Sequence, residues 1–368
     1  MSLRAARARK VLLPLMTAVL AVGATPGAHA VHPTLSCGDT VTTDVRLTAN
    51  LKGCGEVGLR VGADHVTIQL QGHTISGTAS THDGSVGVLV DGHVGAAITG
   101  GAVRGFDYGV VLADASRSTL RSMAIHGNLG KGVVLLHTTH TGVTHNRINR
   151  NGDAAIGVFD GSDHNTVTRN RMRANGPQGV EIIFSSDNLV GRNLLSDTGS
   201  GVILESSDRT HITRNRILHS VATACDGCGI GIQVYGNDNL VDANLIDGAP
   251  RYGIELDDFM DSGHSPAADN VIRANVVNHA GDGIAVGPEA GGVVLRTFIA
   301  RNRVHNSAHD GIQLVGPSTG LQTSTLTSNV TVHNGEWGIE AVPGVIDGGG
   351  NVAAANSQPA QCLNVACQ

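Results

Sequence analysis

Aromatic side chains are scarce in this chain of 368 residues, about 2% of the total, with one Trp, three Tyr and five Phe. That argues against the ring-rich core of an ordinary helix-and-sheet enzyme. No apolar run past the N-terminus reaches the roughly 20 residues that a membrane-spanning helix needs. No block of Lys or Arg follows residue 10, which disfavours a nucleic-acid partner. A 3.6-residue apolar period is missing as well, and strong helix formers are few, so an α-helical repeat is disfavoured.

Glycine, by contrast, is abundant: 50 residues, with ten prolines. Without a G-X-Y period, that frequency implies many tight turns.

The first thirty residues stand apart. Arg4, Arg7, Arg9 and Lys10 precede an apolar run from Val11 to Val22, and Ala28-His29-Ala30 closes the segment with small residues. This is the pattern of a secretory signal peptide, with cleavage expected after Ala30 and release of a soluble extracellular chain. Removing those four basic residues takes the formal charge from −6 to −10. All six cysteines lie in the remainder, which fits an oxidising compartment, and they fall into three local pairs: Cys37/Cys54, Cys225/Cys228 and Cys362/Cys367. Other connectivities are formally open; local closure is the expectation. Cys225-Asp226-Gly227-Cys228 has redox or metal spacing, yet no βαβ pattern or second Cys/His pair accompanies it, so a stapled loop is expected there. The histidines are scattered through turns, without a His-Glu-x-x-His element, and predict no zinc site.

The dominant feature is self-similarity. A unit of Gly, apolar, any residue, apolar recurs eleven times, from Gly87-Val88-Leu89-Val90 through Gly109-Val110-Val111-Leu112 and Gly201-Val202-Ile203-Leu204 to Gly338-Ile339-Glu340-Ala341, at spacings of 22 to 30 residues. Such a period predicts a solenoid, and the alternation inside the unit predicts a short strand with one buried face. A second column places Asn two residues before an apolar side chain: Asn146/Ile148, Asn170/Met172, Asn193/Leu195, Asn215/Ile217, Asn244/Ile246, Asn275/Val277 and Asn302/Val304. Asn tolerates the left-handed conformation, and its amide can bond to its copy one turn away, so the column reads as an asparagine ladder in a turn.

Each turn of the solenoid then supplies about three strands, for example Thr166-Val167-Thr168, Arg171-Met172-Arg173 and Val180 to Ile183. Stacked in one direction they make parallel sheets, and the crossover rule makes the winding right-handed. The expected fold is an all-β, single-stranded right-handed parallel β-helix of about eleven rungs, roughly 50 Å long. Its open edges need covering. The expected organisation is a signal peptide at 1–30, an N-terminal cap at 31–64, the β-helix at 65–344 and a C-terminal cap at 345–368, the two caps stapled by disulfides.

Cys37-Gly38-Asp39-Thr40, the stretch from Val66 to Gly77 and the Asn and Gly-Ile rungs together resemble secreted bacterial right-handed parallel β-helix repeat proteins of the broad pectin-lyase-like superfamily. That group holds pectate and alginate lyases, polygalacturonases, uronan epimerases and non-catalytic members such as the NosD-type periplasmic proteins. The resemblance implies the fold. It carries over no catalytic residue, because the Gly-His-Gly and Arg-Ile-Lys elements of polygalacturonases, the Asp-Pro-His element of mannuronan epimerases and the Trp-Ile-Asp-His element of pectate lyases do not occur.

A candidate site follows from alignment of outward residues in vertical files. The middle position of the repeat and the position two further on become acidic, polar and aromatic together between Glu181 and Asp257. Most of the rare aromatics gather there too, including Phe159, Phe184, Tyr235, Tyr252 and Phe259, flanked by the two longest insertions. Glu205, Glu255, Asp257, Tyr235 and His264 are the catalytic candidates, and Glu181, Gln233, Phe159, Tyr252 and Arg251 the substrate-binding ones. Two chemistries fit. A glycoside hydrolase needs a protonated and an ionised carboxylate, which Glu205, Glu255 and Asp257 offer. A uronan lyase or epimerase needs a cation against the sugar carboxylate and a base. Glu255, Asp257, Asp258 and Asp261 would hold Ca²⁺, with Tyr235, Tyr252, Arg251 or His264 moving protons. The arginines beside the ladder, in Arg169-Asn170-Arg171, Arg214-Asn215-Arg216 and Arg301-Asn302-Arg303, read as solvated turns whose stems cover apolar edges; the alternative is a basic stripe on another face that would serve as an anionic-glycan surface.

The functional expectation is therefore a secreted monomer that binds, and cleaves or modifies, an extracellular, uronate-containing polysaccharide by lyase-like or hydrolase-like chemistry. The alternative is a non-catalytic scaffold, adhesion or accessory protein. Ice binding would require flat, regular Thr-x-Thr arrays, which are absent.

Overall fold

The computed structural model describes residues 34–258, 266–289 and 291–368. The expected signal peptide, and the candidates Asp261 and His264, lie outside the described residues.

Each coil contributes three short strands. Around Met172 they are Thr166–Thr168, Arg171–Arg173 and Gln178–Ile183. Their apolar members Val167, Met172, Val180 and Ile182 point inward and are at most 1% exposed. Repetition of that arrangement stacks Val, Ile and Leu into one dry column, and each fully buried side chain contributes roughly 2 kcal/mol. The first strands of successive coils form a 13-stranded parallel sheet running from Val45–Arg46 to Ile346–Asp347. The second and third strands form two further faces. They count as one 25-stranded sheet because Leu245–Leu256 and Val276–Val286 run unbroken through the turn between those faces. The chain is thus an all-β, right-handed parallel solenoid.

The coil count exceeds the eleven expected. Thirteen strands stack on the first face, because further coils flank the eleven expected ones and pair in register with them, one of them carrying another copy of the unit as Gly58-Leu59-Arg60-Val61. Val57–Val61 aligns Leu59 with Val88 and Val61 with Val90, and Asp39–Val41 pairs with it in turn. At the other end Cys362–Leu363 pairs with Ile339–Ala341. The three local disulfides are present, Cys37–Cys54, Cys225–Cys228 and Cys362–Cys367. Leu35 and Cys37 at one end, and Val365 and Cys367 at the other, pack against the apolar column.

The recurring glycine has a steric cause. At Gly201 the backbone is not left-handed, but a Cβ would lie 2.4 Å from the carbonyl oxygen of Gly231 on the next coil and 2.7 Å from Ile217. Gly87, Gly109, Gly231, Gly253 and Gly283 meet the same carbonyl of the following repeat. At these coils the next layer's carbonyl leaves no room for a Cβ, whereas the coil of Ala155 accommodates one methyl group at the equivalent place.

The asparagine column forms the expected ladder and extends it to Asn329 and Asn351. Nδ2 of Asn193 donates to Oδ1 of Asn215 at 3.0 Å, and Asn215 donates to Asn244 at 3.1 Å. Oδ1 of Asn215 also accepts the backbone N–H of Asn193, and its Nδ2 reaches the carbonyl of Val190. Every polar atom of these buried amides is used, as burial demands. One detail differs from expectation. The left-handed residue is the one before the Asn: Arg169, Arg192, Arg214 and Arg301 have φ between 54° and 57°. The turn needs the kink one position earlier so that the Asn side chain points into the stack.

Candidate functional site

The third face carries the outward residues singled out from the repeat. In Ile232–Tyr235 the side chains of Gln233 and Tyr235 point out on either side of Val234. On the following coil Glu255 stands in register with Gln233, and on the preceding coil Glu205 stands in register with Tyr235. Parallel pairing alone, at about 4.8 Å per layer, therefore brings Glu205, Gln233, Tyr235 and Glu255 together.

Glu255 is the centre of this group. Gln233 Nε2 donates to its Oε2 at 2.8 Å, and the Tyr235 hydroxyl lies 3.4 Å from its Oε1. The residue is fully buried. Burial first, and then the charges of Glu289 and Asp257, push its carboxyl up from 4.5 to about 7, against the pull of the Gln233 hydrogen bond. Glu205, half-buried on the coil before, is also raised by burial. The two phenols are raised well above their ordinary value, Tyr235 by burial and the Glu255 charge, Tyr252 by burial and its bond to Glu289. Both stay protonated at any physiological pH and serve as donors.

Glu289 arrives from the turn after Val276–Val286. Its Oε1 accepts hydrogen bonds from Arg251 Nη2 and, at 3.0 Å, from the Tyr252 hydroxyl. Arg251 in turn lies over the Tyr252 ring, 5.6 Å from its centroid. Arg251 and Tyr252 thus hold a carboxylate beside Glu255, and this carboxylate was not legible in the repeat. Glu289 lies in an insertion, outside the periodic files, and only the fold returns it to the site.

Asp257 and Asp258 have another setting. Asp257 is fully buried, and its oxygens accept the backbone N–H of Asp258, the backbone N–H of Glu289 and the hydroxyl of Ser318, each at 2.8 Å. Asp258 accepts the N–H of Val293 at 2.8 Å. These contacts tie the turns of three successive coils together and fix the backbone that presents Glu289. Among the described residues no group of three or more His, Cys, Asp or Glu side chains is arranged to hold a metal ion.

Glu181 is not part of the Glu255 group. Ile203 separates it from Gln233 in the register, and it pairs instead with Lys131 at 3.3 Å. Lys131 also pairs with Asp153 and lies 5.5 Å from the Phe159 ring centroid. Burial raises the Glu181 carboxyl, with Lys131 opposing.

A further carboxylate cluster, beyond the residues singled out from sequence, lies on later coils of the same face. Asp310, 1% exposed, is pushed up to about 7 by burial, with nearby Glu340 adding to the shift. It accepts the N–H of Trp337 at 2.7 Å and Gln313 Nε2 at 3.1 Å. Its own N–H donates to Asp282 at 2.9 Å. Asp310 and Asp282 each precede a repeat glycine, a position whose side chains were not read as a file.

The family model described as periplasmic copper-binding protein (NosD) matches residues 47–227, and that described as right-handed beta helix region matches residues 159–334. The first match ends before Gln233, and only the second contains the Glu255 group. No curated protein matches the sequence. Among solved structures, an alginate lyase from Paenibacillus sp. str. FPU-7 is 16% identical, covers 66% of this chain and 92% of its own, and superposes with a TM-score of 0.53. DFA-IIIase from Arthrobacter chlorophenolicus A6 is also 16% identical, with 69% and 68% coverage and a TM-score of 0.52. The catalytic domain of a GH87 alpha-1,3-glucanase is 15% identical, covering 91% of this chain and 61% of its own, at a TM-score of 0.52. At such identities the likeness is one of fold.

Proposed function

We propose that this right-handed parallel β-helix repeat protein is a secreted polysaccharide hydrolase that uses Glu255 as its general acid. The observation that carries the reading is a carboxyl raised to about 7 on the outward side of the third face, beside a second carboxylate, Glu289, that Arg251 and Tyr252 hold in place. Glycosidic cleavage needs that division of labour: one protonated carboxylic acid to donate to the leaving oxygen, and another carboxylate to assist water or attack the anomeric carbon. Gln233 and Tyr235 orient the acid, and Tyr235 and Tyr252 offer flat faces and hydroxyls to a sugar.

Elimination is the less favoured chemistry. It needs a base at neutral pH and positive charge against a uronate. Both tyrosines are raised away from the anionic form, and Arg251 is already engaged by Glu289. The three local disulfides and the signal-like N-terminus support export to an oxidising compartment. That the fold neighbours include a lyase, DFA-IIIase and a glucanase supports a polysaccharide as the substrate class.

The match of residues 47–227 to the NosD description supports a second reading, a non-catalytic exported accessory protein. One assay separates the two. The purified protein is incubated with neutral and uronate-containing polysaccharides, with and without calcium, while reducing ends and unsaturated-uronate absorbance are followed together. Hydrolysis releases ends without absorbance, and Glu255→Gln lowers that rate about a hundredfold or more. Absorbance rising with the ends would replace hydrolysis by elimination, and silence across the panel would leave the accessory role.

A further inference from the structure

The second face holds an accumulation of positive charge that the carboxylate site does not use. Arg147 and Arg171 are register partners on adjacent coils, as are Asn149 and Arg173, with His126 in register before Asn149. Together with Arg150 and Ala174 these residues line a groove of about 650 Å³. It adjoins one lined by Arg104 and His126 and another lined by Gly101, Ala124 and Arg147. Five arginines and two histidines, His126 and His145, thus face one continuous depression across four coils.

These charges are largely uncompensated. Among the described residues Arg104, Arg147, Arg150 and Arg171 have no carboxylate within ion-pair distance, and only Arg173 has one, Asp197 at 3.0 Å. Guanidinium groups stacked at about one layer spacing repel each other unless an anion lies between them. The concentration stands out in a chain whose formal charge is −6. Arg150, like Arg169 and Arg214, sits at a left-handed turn position, whereas Arg104, Arg147, Arg171 and Arg173 are strand residues whose direction the sheet fixes. Burial, with Arg104 and Arg150 next in effect, holds the His126 imidazole below its ordinary value, so it sits in the groove as a neutral hydrogen-bonding group.

We infer that this groove binds an anionic polysaccharide, its carboxylate or sulfate groups placed on Arg104, Arg147, Arg150, Arg171 and Arg173 as the chain runs along the solenoid axis. Planar guanidinium groups donate paired hydrogen bonds to such anions, and their layer spacing is close to the length of one sugar residue. Asn149 and the small residues Gly101, Ala102 and Ala124 leave room and hydrogen bonding for hydroxyls. Single-stranded nucleic acid is the less suitable anion, because the groove has no Phe, Tyr or Trp ring on which bases would stack. The site lies on a different face from Glu255 and does not depend on the hydrolase reading.

The test is affinity electrophoresis of the whole exported protein in gels containing polygalacturonate, alginate, chondroitin sulfate or neutral dextran, with single-stranded DNA as competitor and salt varied. The groove predicts retardation by an anionic polysaccharide and not by dextran, weakening with salt. Arg147→Glu/Arg171→Glu should lower the affinity at least about tenfold, with an unchanged circular-dichroism melting curve, while Glu255→Gln retains it. The milder pair Arg147→Gln/Arg171→Gln keeps the test valid if the charge reversal unfolds the coil. No retardation by any anionic polysaccharide, undiminished binding in folded double variants, or stronger binding of DNA would each overturn the inference.

Discussion

Gln233 Nε2 donates to Glu255 Oε2 at 2.8 Å across one coil, and the same nitrogen lies 2.7 Å from the Tyr235 hydroxyl oxygen. The hydrogen bond from this amide opposes the burial that holds Glu255 toward protonation. Gln233→Leu therefore raises the Glu255 carboxyl further, since a donor to the charged form is lost. The expected readout is a shift of the alkaline limb of the pH–rate profile to higher pH. A merely structural Gln233 would lower the rate without moving that limb.

Glu255 also makes stability depend on pH. Its folded value, about 7, lies above its ordinary 4.5. The protonated form is therefore favoured by folding, so its contribution is complete below about 4.5 and is lost as pH rises through about 7. Glu255→Gln should leave stability near pH 4 almost unchanged and raise it at pH 8 by on the order of 3 kcal/mol. Urea midpoints at the two pH values check this. Equal effects at both would mean that the carboxyl titrates normally.

The ladder separates two neighbouring residues. Asn215→Ala removes an acceptor for Asn193 and a donor to Val190 and Asn244, leaving buried groups unpaired at a cost of about 2–4 kcal/mol. Arg214, with φ 54°, sits in a conformation that glycine adopts freely. Arg214→Gly should change stability by less than about 0.5 kcal/mol. Urea unfolding of the two variants measures the contrast.

At the repeat glycine the steric argument gives a direct expectation. Gly201→Ala forces a Cβ against the Gly231 carbonyl at 2.4 Å and should cost about 2 kcal/mol or more. Ala155, which already occupies the equivalent place in its repeat, should accept glycine with far less effect. Similar midpoints for the two substitutions would remove the packing explanation.

How much of this was legible in the sequence follows from periodicity. Val180 and Ile182, or Gly179 and Gly201, repeat at coil spacing, so strands, core and winding could be read directly, and the neighbouring cysteines gave their pairing. Of the extra coils, the one at Val57–Val61 carries the unit as Gly58-Leu59-Arg60-Val61 and was legible, whereas Asp39–Val41 and Cys362–Leu363 pair by backbone without the repeat's side chains. In the site, Glu205, Gln233, Tyr235 and Glu255 belong to periodic files and were visible. Glu289 and Asp310 were not, since one lies in an insertion and the other just before a repeat glycine. The periodic files also placed Glu181 beside the Glu255 group, whereas Lys131 draws it into a separate cluster.

The most direct test of the account is the ¹³C chemical shift of the Glu255 carboxyl carbon followed against pH, assigned by its absence in Glu255→Gln. The account predicts a midpoint near 7, set by burial beside Glu289 and Asp257. A midpoint near the ordinary 4.5 would contradict it, because Glu255 would then be ionised at neutral pH with no proton to give a departing sugar.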